Sequence, residues 1–128
     1  MIDSAQKRAV VEAYVGCHSA GDVDGILALF ADDARAYDPV GSPAHEGAEG
    51  IRAFFAGTHE MVDKLTLTLT GPVRAVAGSA AFPMVARSEM GEMILEIDII
   101  DVFEFNEDGK ISEMRAYWDM AEARAVTE

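Results

Sequence analysis

Apolar residues recur along this chain with two different periods, and the change between them divides it into a helical half and a stranded half. From Ser4 to Ala20 the side chains of Val10, Val11, Tyr14 and Val15 fall at helical spacing, and Gly21 stands where a helix C-terminus is usual. The pattern predicts an amphipathic helix with Tyr14 inside its apolar stripe. Asp22 can cap a shorter second helix, which would bury Ile26, Leu27, Leu29 and Phe30 and end near Ala31. Ala34 to Asp38 then reads as a short extended segment, because Pro39 disfavours the helical conformation of the residue before it. Alternation sets Ala34, Ala36 and Asp38 on one side, opposite Arg35 and Tyr37. Pro39, Gly41, Ser42 and Pro43 predict a loop, and a third helix follows from about Ala48 to Gly57 with Ile51, Phe54 and Phe55 inward.

From Lys64 onward the period is two. Leu65, Leu67 and Leu69 alternate with Thr66, Thr68 and Thr70, a half-buried strand closed by Gly71 and Pro72. Strand patterns continue over Val73 to Val76 and Ala80 to Glu89, where Pro83 removes a ladder donor and predicts a bulge or an edge position. Gly91 marks a turn into a strand running from Met93 to Phe105. Asn106, Glu107, Asp108 and Gly109 then make a hairpin loop, and the chain returns as Lys110 to Trp118. The last residues are expected to fray. Helices followed by strands predict an α+β fold, with a curved, mixed, mostly antiparallel sheet wrapped around three N-terminal helices. Such an arrangement leaves a cone-shaped apolar cavity, the kind of place where small ligands bind. With no repeat or linker in its 128 residues, the chain reads as a single domain over 1–128.

Charge narrows the partners. The formal net charge is -13, with 23 acidic against 10 basic residues, so the surface repels nucleic acid and anionic membranes. Half the residues are hydrophobic, which separates the chain from a disordered acidic tail. Cys17 is the one cysteine, leaving neither an internal disulfide nor a thiolate metal cluster. The N-terminal stretch has mixed charge without an apolar run, and no segment approaches the length of a membrane span. A soluble, cytoplasmic protein is expected. His18, His45 and His59 are too scattered to suggest a metal site from spacing.

Within the last long strand one residue breaks the pattern. Alternation places Asp101 with Ile97, Ile99, Phe103 and Phe105, away from Glu96, Asp98, Ile100, Val102 and Glu104. A carboxylate on an apolar face costs several kcal/mol to desolvate, so it must find partners or stay protonated. Tyr14 and Asp38 likewise sit among apolar neighbours. Two carboxyls and a phenol in one apolar pocket offer a base and two hydrogen-bond donors, a set suited to moving a proton beside a carbonyl. Taken singly, Tyr14 also reads as a core tyrosine and Asp38 as the shaper of an Asp-Pro turn, and a register slip would turn Asp101 outward. Spacing alone does not bring the three together.

The residues themselves carry a resemblance. Tyr14-Val15, the run from Ala20 to Ala34, Asp38-Pro-Val-Gly-Ser42, Ile100-Asp-Val-Phe-Glu-Phe-Asn106 and Met114-Arg-Ala116 are similar to the bacterial ketosteroid isomerases, or steroid Δ5-isomerases, of the nuclear-transport-factor-2-like superfamily. The similarity runs from about Val10 to Trp118. It implies that Asp38 is the general base moving a proton from C4 to C6 of a 3-oxo-Δ5-steroid, and that Tyr14 and Asp101 form the oxyanion hole. In that family a carboxyl kept neutral by an apolar site is an established feature. It further implies a steroid pocket lined by Val40, Phe54, Phe82, Phe103, Met114 and Trp118. No metal or organic cofactor is needed, because the substrate's own carbonyl takes up the charge. A homodimer through the outer sheet face is implied too. Phe55 stands where the family often has a tyrosine. Rival readings are a polyketide cyclase or epoxide hydrolase on the same fold, and a non-catalytic small-molecule-binding or dimerisation module. An epoxide hydrolase of this superfamily would want an arginine between its carboxylates, and neither Arg35 nor Arg115 shares a predicted face with a candidate.

Overall fold

Asp3 and Gln6 open the first helix by capping one another: the Gln6 N–H donates to the Asp3 carboxylate at 2.8 Å, and the Asp3 N–H to the Gln6 side chain at 2.9 Å. In this computed structural model, which describes residues 2–127, α1 spans Ser4–Ala20. It ends where predicted, with Gly21 at φ 69°, a left-handed backbone that glycine adopts without a Cβ penalty. Its buried face is Lys7, Val11, Tyr14 and His18, a stripe that continues one turn beyond the apolar residues at each end. Lys7 is buried because its ammonium donates to the carbonyl of Ala77.

The second helix is shorter than its apolar pattern predicted. After α2, Val23–Leu27, the Leu29 carbonyl accepts from the Ile111 N–H at 2.9 Å, and Phe30 enters strand β1, Phe30–Tyr37, opposite Ile111. Tertiary pairing thus takes Leu29 and Phe30 out of the helix that local spacing favoured. Ala34 and Ala36 are buried and Arg35 is exposed, as alternation required. The predicted loop that follows contains a two-residue strand, β2 (His45–Glu46), paired with β1. The third helix, α3 (Gly47–Glu60), runs a turn longer than expected.

Five more strands extend the sheet: β3 (Lys64–Leu69), β4 (Arg74–Val76), β5 (Ser79–Met90), β6 (Met93–Phe105) and β7 (Ile111–Tyr117). Their order is β2-β1-β7-β6-β5-β3, with β4 pairing β5 beyond the end of β3. Only β1 and β7 run parallel among these pairs, so the sheet is mixed and mostly antiparallel. The α+β expectation holds: three helices pack on a large curved sheet.

Pro83 makes no bulge, because the register of β5 with β6 is unbroken from Ser79 opposite Glu104 to Met90 opposite Met93. The Pro83 carbonyl accepts from the Thr70 N–H at 3.1 Å, so its ring nitrogen faces the same side. That side is the gap between Leu69 and Arg74, where no ladder donor is required, and the edge half of the prediction is met locally. The C-terminal residues do not fray through this region. A 3₁₀ turn at Met120–Glu122 leads into β8 (Arg124–Ala125), which pairs with β6, and Arg124 forks onto Asp98 at 2.9 and 3.1 Å. Asp98 therefore faces outward, away from Asp101. No helix among the described residues is long and apolar enough to cross a membrane.

Candidate active site

Three elements each deliver one polar side chain to the space between the helices and the sheet. Tyr14 comes from the middle of α1, Asp38 from just beyond the end of β1, and Asp101 from the centre of β6. All three line one cavity of about 340 Å³ whose other walls are mainly apolar. Helix and central strand are stiff supports, whereas Asp38 lies at the start of a loop.

Asp101 is 1% exposed, and neither carboxyl oxygen has a hydrogen-bond partner among the described residues. Burial, reinforced by the nearby Asp38 charge, pushes its carboxyl well above the ordinary carboxylate range. Burial thus favours its neutral, protonated form. Tyr14 is also buried, and burial, with the neighbouring Asp101 and Asp38 carboxyls adding to it, raises its hydroxyl well above 10. Among the described residues its O–H reaches only the sulfur of Met114 at 3.5 Å, a weak acceptor that a ligand oxygen can replace. Asp38 is half-buried, and burial raises it to about 6 against the lowering effect of the Trp118 indole N–H, which donates to it at 2.6 Å. At neutral pH the cavity thus holds one carboxylate, Asp38, beside a carboxyl and a hydroxyl that burial biases toward their neutral forms.

Phe54 and Trp118, two of the residues expected around a steroid, line this cavity. Phe82, Phe103 and Met114 sit behind the wall: the two rings pack edge-on to Tyr14 at 6.5 and 5.0 Å, and Met114 takes its hydroxyl. Their packing seats Tyr14. Val40 is 43% exposed and outside the lining; its N–H donates to the Ala116 carbonyl at 2.8 Å. Phe55, in place of a tyrosine, offers Tyr14 an aromatic edge at 6.2 Å and no hydroxyl.

Sequence reasoning missed a histidine pair. His18 Nδ1 lies 3.0 Å from His59 Nε2, and the buried His18 ring stands edge-on to Tyr14 at 4.5 Å. Burial, with His59 adding to it, lowers His18 to about 3, so it is neutral. The signal was present: His18 is one helical turn beyond Tyr14 and His59 one turn beyond Phe55, on the inward faces of α1 and α3. Arg35 pairs with Glu46 at 3.1 Å and Arg115 with Glu104 at 3.3 Å and with Glu113, and neither reaches the cavity.

A profile of the SnoaL-like domain matches residues 11–114, which include Tyr14, Asp38 and Asp101. The chain belongs to the SnoaL-like family. This SnoaL-like chain is 36% identical over 118 residues to the steroid Delta-isomerase of Nocardioides simplex, with 90% of the chain and 91% of that protein covered. It is 33% identical over 118 residues to the epoxide hydrolase LasB of Streptomyces lasalocidi, matching 77% of the chain but 42% of LasB. Among solved structures it superposes on SalBIII, described as an epoxide hydrolase/cyclase-like enzyme in pyran ring formation of the polyether salinomycin. That likeness has a TM-score of 0.89 at 27% identity, covering 98% of this chain and all of the other. These SnoaL-like relatives are enzymes, and their chemistries differ.

Proposed function

We propose that the chain is a steroid Δ5-isomerase, shifting the C5=C6 double bond of a 3-oxo-Δ5-steroid into conjugation with the ketone. The observation that carries this reading is geometric: Tyr14, Asp38 and Asp101 line one mainly apolar cavity, and both carboxyl oxygens of Asp101 are buried there without a partner among the described residues. Asp38 takes the proton from C4, and the electron pair moves into a dienolate whose charge gathers on O3. The O–H groups of Tyr14 and Asp101 donate to that oxygen, and in a water-excluded site such donors are worth far more than in water. Asp38 then returns the proton to C6, so no atom is gained or lost. Purified protein mixed with a 3-oxo-Δ5-steroid should generate the ultraviolet absorption of the conjugated enone, and a trace no faster than buffer at high enzyme concentration would sink the isomerase reading.

The pH profile follows from the base. Only ionised Asp38 accepts the C4 proton, and its carboxyl titrates at about 6. kcat/KM should fall tenfold per unit below about pH 6 and level off above it; a profile flat through pH 5 would mean that the base is another group.

A second reading is favoured by the likeness to SalBIII and by the same donors. Asp101 or Tyr14 would protonate an epoxide oxygen while Asp38 takes the proton of an attacking hydroxyl or water. Among the described residues no arginine or lysine lines the cavity, which weighs against it. Product analysis after incubation with an epoxy-alcohol distinguishes the two. For assembly, the outer sheet face carries Ile100 at 52% and Tyr117 at 47% exposure, an apolar surface suited to a second copy. Sedimentation at monomer mass would count against a homodimer.

A further inference from the structure

The cavity extends well past its polar end. On β6 its floor runs from Asp101 through Ile99 and Ile97 to Leu95, six residues or about 20 Å at the usual strand rise. Paired positions of β5 pave the same track, with Met84 opposite Ile99, Ala86 opposite Ile97 and Ser88 opposite Leu95. Four fused rings with the ketone at Asp101 and Tyr14 cover roughly half that length by ordinary carbon geometry. The remaining half is walled by Leu95, Met61, Met90 and Met120. Met61 is 79% and Met120 59% exposed, an apolar rim with nothing covering it in the described residues. Unbranched methionines of this kind adapt to a flexible hydrocarbon. Polar partners are few there: the Thr58 hydroxyl donates to the Phe54 carbonyl at 3.0 Å, leaving Ser88, while His18 Nε2, without a partner among the described residues, lies toward the Tyr14 end of the lining.

We infer that the site takes 3-oxo-Δ5-steroids that carry an aliphatic side chain on ring D, in preference to those with a hydroxyl or ketone there. This deepens, and rests on, the isomerase reading of the same cavity. An alkyl chain laid along the far half of the track removes apolar surface from water on both partners. A ring-D ketone would instead lose its water against mainly apolar walls, where Ser88 is the one hydroxyl left to replace it at that end.

The test compares two 3-oxo-Δ5-steroids with identical rings, one bearing a branched alkyl chain on ring D and one a ketone, each delivered from a cyclodextrin carrier at matched free concentration. Turnover is read by enone absorption. Binding of the corresponding saturated 3-ketones, which cannot isomerise, is read by the fluorescence of Trp118, the one tryptophan of the chain and a residue of the cavity wall. The alkyl compounds should show at least tenfold lower KM and tenfold tighter binding, with kcat within a few-fold. Leu95→Gln and Met61→Gln should each shrink the ratio of the two KM values several-fold. Equal or better binding of the ketone compounds would overturn the side-chain preference while leaving isomerisation intact. If neither substrate reacts, the isomerase reading falls, and the fluorescence comparison still decides the preference by itself.

Discussion

Asparagine in place of Asp38 should lower steroid turnover by roughly 10²- to 10⁴-fold, the range a positioned general base contributes. The substitution is nearly isosteric, and its side-chain oxygen can still accept from the Trp118 indole that now donates at 2.6 Å. The loss is therefore one of chemistry and should appear in kcat. Stability should move the other way. The folded carboxyl titrates at about 6 against an ordinary 3.8, so the protein holds this proton more tightly than the unfolded chain does. A raised folded value means full stability below 3.8 and a loss that is complete above about 6. At 1.36 kcal/mol per unit, that loss is at most about 3 kcal/mol. Asp38→Asn should consequently gain about 1–3 kcal/mol at pH 7.5 and nothing at pH 3.5, read from urea midpoints. An unchanged rate would place the base elsewhere.

The second large effect belongs to Asp101. Replacement by leucine removes one of the two oxyanion donors and should cost about 10²- to 10³-fold in kcat, with KM little altered because the donor matters most when charge has built up on the oxygen. Asp101→Asn keeps an N–H donor in nearly the same place and should lose less. Both should be more stable than the parent. Asp101 has no partner for either oxygen among the described residues, and burial raises its carboxyl well above the ordinary range. Its stability contribution is therefore present in acid and lost progressively as pH rises through the unfolded value, so the advantage of either variant should widen from pH 4 to pH 7. Equal kcat for the leucine variant would remove Asp101 from the oxyanion hole.

Much of the architecture was legible because burial follows period. The alternation in Glu96 to Phe105 set Asp101 inward with Ile97 and Ile99 and turned Asp98 out, and the structure agrees. Elements failed where a partner distant in sequence decided them. Leu29 and Phe30 satisfy a helical pattern and lose it to Ile111, and β8 forms only because β6 offers an edge beyond the end of β7. The site was legible residue by residue, yet its layers were not. Phe54 and Phe103 are equally apolar in the sequence, and only the packing shows that one faces the cavity and the other supports Tyr14 from behind. The pairing of His18 with His59 was not legible for a related reason, since each alone is a histidine on a helix and their meaning lies in the 3.0 Å between them.

The parallel pairing of β1 with β7 has a kinetic side. Phe30 must find Ile111 across most of the chain, and closing so long a loop carries an entropy penalty that local hairpins such as β5–β6 escape. Pairings of that separation set the pace of folding. Asp38 lies just beyond β1 and Trp118 just beyond β7, so the contact between them cannot form before those strands dock. The indole that holds the Asp38 carboxylate is thus placed by the strand pairing of widest sequence separation among the described strands.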